Sequence, residues 1–228
     1  DTLNHTATST AIVVSGYTYH GVDDTPAAST GSSSEDIWAG RSIIGNATTA
    51  NKLTLKNGTT HRDAYGGWTA GTGTLKTPTK DSTGNAVDLQ NATVRNVYGG
   101  FTASTGGSAA NNVVKVSGGT VAADASGVGG NVYGGFISHT GAGNATGNVV
   151  TITGGTIVGT VYGGAATGSG NVTNNAVNLG NEDNHNLRNA NLAAADLNGS
   201  IKGTAGTASG NALNVYAKNA NVHTVSAF

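Results

Sequence analysis

The sequence predicts an all-β fold wound as a β-solenoid, a parallel β-helix of about six degenerate coils. Three observations carry this. The 228 residues include 37 glycines, 33 threonines and 26 asparagines, which are poor helix formers and good turn formers. A short unit ending in Tyr-Gly-Gly recurs along the chain. A second unit, Asn followed by alternating apolar and polar residues, interleaves with it.

The Tyr-Gly-Gly unit stands at Asp63-Ala64-Tyr65-Gly66-Gly67-Trp68, Asn96-Val97-Tyr98-Gly99-Gly100-Phe101, Asn131-Val132-Tyr133-Gly134-Gly135-Phe136 and Thr160-Val161-Tyr162-Gly163-Gly164-Ala165. A decayed copy precedes these at Asp36-Ile37-Trp38-Ala39-Gly40, and a weaker one follows at Asp196-Leu197-Asn198-Gly199-Ser200. Copies of the second unit begin at Asn51, Asn85, Asn112, Asn148, Asn175 and Asn211. In each the residues two and four places on are apolar, as in Val150 and Ile152, so a strand with one buried face is expected. Turn residues follow four of these strands, at 57–59, 91–93, 118–120 and 154–156. Spacings of 27 to 36 residues between aromatic positions exceed a hairpin and suit one solenoid coil with loops of varying length. A sandwich or barrel also has short strands and frequent turns, but its strands have no reason to resemble one another.

In such a coil each strand pairs with its copy one turn away, and the leading asparagines stack into a ladder of side-chain amides. Loops are expected at 41–50, 69–84, 102–111, 137–147, 166–174 and 202–210, all on one side. The longest carries Pro78 and the charged Lys76, Lys80 and Asp81. Leu187, Leu192 and Leu197 recur every five residues within a lengthened coil. Residues 1–35 fit the pattern poorly and read as an N-terminal cap or first irregular coil, with Ile12, Val13 and Val14 as a first strand. Residues 36–228 read as the repeat region.

The recurring Asn-x-Val-x-Ile/Val-x-Gly-Gly-Thr and Val-Tyr-Gly-Gly units, over about residues 36–216, resemble the passenger region of large bacterial autotransporter adhesins. Similar Val-Tyr-Gly-Gly arrays occur in long surface proteins of anaerobic Gram-negative bacteria. The resemblance implies a right-handed parallel β-helix, secreted across the outer membrane and displayed on the bacterial cell surface. It implies host or microbial surface proteins or glycans as partners, and it carries no catalytic residues.

Charge is sparse. Charged residues are 10% of the chain and the net charge is −1, against about 25% charged in a typical soluble domain. No basic cluster points to nucleic acid or anionic lipid. No apolar run nears the about 18 residues of a membrane span, so direct membrane insertion of this segment is not expected. The chain opens at Asp1 without a signal peptide and reads as processed or as a fragment. It has no cysteine. A secreted chain of this kind draws stability from repeated sheet hydrogen bonds rather than disulfides, and a thiol-free chain suits threading through a membrane pore.

Motifs for chemistry are absent: no nucleophile elbow, no phosphate loop, no His-x-x-x-His pair. No cofactor or metal is expected, and the chain reads as a non-enzyme. Glu182-Asp183-Asn184-His185 is the densest polar cluster and reads as a solvated loop rather than a calcium site. Asp23, Asp24, Glu35 and Asp36, with Arg41, are the best candidates for the carboxylate pair of a polysaccharide-active β-helix enzyme. The seven Asn-x-Ser/Thr sequons are no more than the composition produces by chance.

The one feature with a binding reading is an aromatic column, Trp38, Tyr65, Tyr98, Tyr133 and Tyr162. If Val97, Gly99 and Phe101 share the inward face, Tyr98 faces out and the column forms an exposed stripe suited to sugars or partner proteins. The competing reading is internal stacking without a ligand. End-to-end self-association into a filament is the further alternative, because solenoid ends are strand edges. Circular dichroism should show β-structure with negligible helix, and reducing agent should leave the melting curve unchanged.

Overall fold

The structure, a computed structural model, describes residues 7–8, 11–15, 36–43, 47–56, 59–71, 80–180, 190–191, 196–201, 206–216 and 224–226. Every strand pairing among these residues is parallel; a single antiparallel bridge, Ala123 with Gly129, lies within a loop. No helix occurs among them. The chain is a β-solenoid, and each coil adds one rung to each of its ladders.

Two-residue strands form the first ladder: Ala7–Thr8, Thr48–Thr49, Ser82–Thr83, Ala109–Ala110, Ala145–Thr146, Val172–Thr173 and Ala208–Ser209. The second ladder carries the asparagine-headed segments, from Ala11–Ser15 through Lys52–Lys56, Ala86–Leu89, Val113–Val121 and Val149–Ile157 to Ala176–Leu179 and Ala212–Val215. The third carries the Tyr-Gly-Gly unit, from Ile37–Ser42 through Thr59–Thr69, Ala92–Thr102, Val132–Ile137 and Thr160–Ala166 to Asp196–Ile201 and Thr224–Ser226. All three ladders are seven rungs high; the second has one more than the six asparagine-headed copies, because Ala11–Ser15 pairs with Lys52–Lys56.

The first ladder lies inside the segments expected to be plain loops. Its strands are two small residues long, too short for an apolar alternation to show. The six from Thr48–Thr49 onward are each followed at the next corner by a residue in the left-handed region: Ala50 (φ 55°), Gly84 (φ 67°), Asn111 (φ 55°), Gly147 (φ 66°), Asn174 (φ 56°) and Gly210 (φ 66°). Glycine and asparagine tolerate that conformation, whereas alanine pays for the contact between its Cβ and the backbone. The expected turns after the second-ladder strands take a different form in two coils. Val113–Val121 and Val149–Ile157 run through the corner as single strands with register shifts beside Ser117.

Core columns follow the expected alternation. Val150 and Ile152 are fully buried, while Val149 and Thr151 are half-buried on the other side. Leu53, Val87, Val114, Val150 and Val177 make one buried column, and Leu55, Leu89, Val116, Ile152 and Leu179 make another. Ile37, Ala64, Val97, Val132 and Val161 supply the third ladder's share. His61 stands in the column of Val94, Val121 and Ile157.

Between the first and second ladders runs the asparagine ladder. Nδ2 of Asn51, Asn85, Asn112, Asn148 and Asn175 each donates to Oδ1 of the next asparagine at 2.8–3.2 Å. That same Oδ1 accepts the backbone N–H of the preceding asparagine at 3.0 Å. The second Nδ2 hydrogen goes to a first-ladder carbonyl, as from Asn112 to Ser82 at 2.9 Å and from Asn148 to Ala109 at 3.0 Å. Asn85, Asn112 and Asn148 are 0% exposed, so removing one amide strands partners that water cannot reach.

Five substitutions, followed by denaturant melts, test these contacts. Asn112→Ala should cost about 3 kcal/mol or more, since several buried groups lose partners at about 1–3 kcal/mol each, while the exposed Asn144→Ala stays within about 0.5 kcal/mol. Ala50→Gly should stabilise by about 0.5–1 kcal/mol by relieving the left-handed strain. Ile152→Asp should cost about 3–5 kcal/mol as an unpaired buried charge, and Thr151→Asp about 1 kcal/mol or less; equal losses would contradict the facing of this strand.

Candidate functional site: the aromatic columns

Eight of the chain's twelve aromatic residues lie on the outer side of the third ladder. The register stacks Trp38 on Tyr65, Tyr65 on Tyr98, Tyr98 on Tyr133 and Tyr133 on Tyr162. Ring centroids of the four tyrosines are separated by 4.8, 4.9 and 4.7 Å, with interplanar angles of 7°, 1° and 8°. These separations match the rise between paired strands, so backbone pairing alone sets the stacking distance.

A second column runs beside the first: Arg41, Trp68, Phe101, Phe136 and Ala165. Phe101 meets Tyr65 and Tyr98 edge-on, at 5.6 Å and 5.5 Å. The expectation that Phe101 shares the inward face with Val97 is therefore corrected. Gly99 and Gly100 are the reason. A Cβ on Gly99 would meet Asn112 and Val114, and one on Gly100 would overlap the Asn112 amide. Both glycines turn inward, which shifts the alternation by one residue and brings Phe101 out beside Tyr98. The same clash with an asparagine amide exists at Gly67, Gly135 and Gly164, against Asn85, Asn148 and Asn175. The second glycine of the unit makes room for the asparagine ladder.

The column is also less exposed than a free stripe. Tyr65 and Tyr98 are 7% and 8% exposed, covered by their neighbours and by Phe101. Trp38, Tyr133 and Tyr162 are half-buried, as are Trp68 and Phe136. Burial pushes the phenols of Tyr65 and Tyr98 far above the ordinary tyrosine range, helped by the charge of Asp63. Tyr133 moves the same way through burial and the neighbouring Tyr162. At the first-coil end the Arg41 guanidinium sits 4.6 Å from the Trp38 ring centroid and 5.0 Å from that of Trp68, a cation–π arrangement. Because each inner ring has a ring above and below, a ligand reaching Tyr98 meets edges rather than a face.

Charges gather along one flank. Arg62 pairs bidentately with Asp36, both bonds 2.8 Å, and Arg95 with Asp63 at 2.9 and 2.6 Å. Asn96 Nδ2 also donates to Asp63 at 3.0 Å, and Tyr65 Oη donates to it at 3.4 Å. Arg95 reaches on to Asp124 at 3.4 Å. Asp124 is held below the usual carboxylate range chiefly by the N–H of Val128, then by Ser126 and Arg95. Asp36 and Asp63 occupy adjacent coils, as a polysaccharide-cleaving pair would. Each is, however, already matched to an arginine, and the partner of Asp36 is Arg62 rather than Arg41. Asp23, Asp24, Glu35 and the cluster 182–185 lie outside the described residues, as do Leu187, Leu192, Lys76 and Pro78. Among the described residues no group of three or more His, Asp or Glu is placed to hold a metal ion, and no helix is long and apolar enough to cross a membrane. His139 joins neighbouring loops, its Nε2 2.9 Å from the Gly107 carbonyl and its Nδ1 accepting from Gly141 N–H at 3.1 Å.

The second column and the arginine staircase were not singled out from sequence. The Gly-Gly pair between Tyr and Phe was the available signal for the first, since two adjacent inward glycines break a period of two. Compared with known proteins, the chain matches no family model, no curated sequence and no solved structure.

Replacing Tyr98 and Tyr133 together by serine should lower the melting temperature. Each lost aromatic pair costs about 0.5–1.5 kcal/mol beyond burial. Unchanged stability would mean that the column contributes nothing to the fold.

Proposed function

We propose that this chain is an extracellular structural and adhesive repeat module, displayed on a bacterial surface and engaging a host or microbial surface protein or glycan. The observation that supports this reading most is the parallel pairing of every ladder strand with its copy in the next coil, which lengthens the molecule coil by coil without needing a larger core. A scaffold of this kind gives reach and presents loops at repeating intervals. The largest described excursion, Ala122–Gly130, carries Val128 at 58% exposure, braced by Asp124 through Ser126 and Val128 N–H and by Arg95. An exposed apolar residue on a braced loop is a suitable contact for a partner.

Among the described residues, the carboxylates of Asp36, Asp63 and Asp124 beside the aromatic columns are each paired with an arginine, which favours a non-catalytic role over polysaccharide cleavage. The test is adherence of beads carrying the chain to panels of host cells, bacterial cells and immobilised glycans. Val128→Asp should leave the melting temperature unchanged and reduce adherence. No adherence to any surface, together with fibre growth as protein concentration rises, would replace this reading with that of a filament subunit.

A further inference from the structure

We propose that the tyrosine column relays one-electron oxidation along the solenoid axis, from Tyr162 to Tyr65. Four identical side chains in succession share one intrinsic potential, so no ring is a barrier by its chemistry, and the Asp63 carboxylate beside Tyr65 favours positive charge at the buried end. Their centroid separations of 4.7–4.9 Å and near-parallel planes place the π-systems almost in contact, the geometry in which electron exchange between rings is fast. The two ends differ. Tyr162 is half-buried and open to an oxidant at its edge, whereas Tyr65 is buried and its hydroxyl faces the carboxylate of Asp63 at 3.4 Å.

A strong one-electron oxidant such as the carbonate radical anion takes an electron from Tyr162 and becomes carbonate. Tyr133 returns an electron to Tyr162, Tyr98 to Tyr133, and Tyr65 to Tyr98, so those three rings end as the neutral phenols they were. Tyr65 is left one electron short. Its phenol proton, strongly acidic in the oxidised ring, passes to Asp63 Oδ2 even while Arg95 holds that carboxylate, and Tyr65 remains a neutral phenoxyl radical. Burial of Tyr65 beneath Phe101 keeps that radical from coupling with another chain. The inference stands on the column alone and is independent of any adhesive role.

The chain has no cysteine, so Val158→Cys, at an exposed position four residues before Tyr162, accepts a single tethered ruthenium polypyridyl photosensitiser. Flash oxidation with a soluble quencher, followed by transient absorbance and electron paramagnetic resonance, reads where the radical settles. A long-lived phenoxyl radical is expected, and it should be lost in Tyr65→Phe. Tyr98→Phe keeps the ring and its stacking but removes the oxidisable phenol; it should melt like the parent and lose the Tyr65 radical. An unchanged radical yield and lifetime in Tyr98→Phe overturns the relay, as does a wild-type radical that never leaves Tyr162 or that settles on tryptophan.

Discussion

The buried asparagine ladder is the interaction on which the rest of this structure depends. One side chain per coil does three things: it bonds to the asparagine of the next coil, accepts a backbone N–H from the preceding one, and ties the first ladder to the second through a carbonyl. An amide carries both donors and acceptors in a fixed plane, so the same contact repeats without change from coil to coil. Serine lacks the second donor, and aspartate would stack like charges in a site closed to water. Register is thereby set by polar pairing as well as by the apolar columns, and a slip of one residue would break both at once.

The glycine pairs follow from that ladder. The amide of Asn112 occupies the space where a side chain on Gly100 would be, and the arrangement recurs at Gly67, Gly135 and Gly164. Accommodating the ladder costs the third strand two consecutive inward positions without side chains. The outer face gains from the same break, because the shifted alternation places Phe101 and Phe136 beside Tyr98 and Tyr133. The aromatic columns are in this sense a consequence of making room inside.

Stability in such a molecule accumulates by repetition rather than by a thick core. Buried side chains are mostly Val, Ile, Leu and Ala in single columns, and few charges need to be matched. On the flank of the third ladder, Asp36, Asp63 and Asp124 are each bonded to an arginine of a neighbouring coil. They act as further rungs between successive coils. The aromatic stack shares this logic: its spacing is the strand spacing, and its geometry is as regular as the backbone beneath it.

The solenoid, its inward Val150 and Ile152 columns, the asparagine ladder and the stacking of Trp38 through Tyr162 were all legible in the sequence. Each depends on a repeat in register, and residues that recur at one position in successive coils must meet. What the tertiary structure alone decided was anything that depends on contacts between different positions of a coil. The first ladder of two-residue strands carries no periodicity to read. The outward turn of Phe101 depends on which neighbour fills the space beside Gly99 and Gly100. The burial of Tyr65 and Tyr98 depends on Phe101 covering them, and the pairing of Asp36 with Arg62 links residues 26 apart whose proximity only the coil length defines. Repetition along the axis can be read from a string of letters, whereas packing across the coil is settled by which side chains compete for the same space.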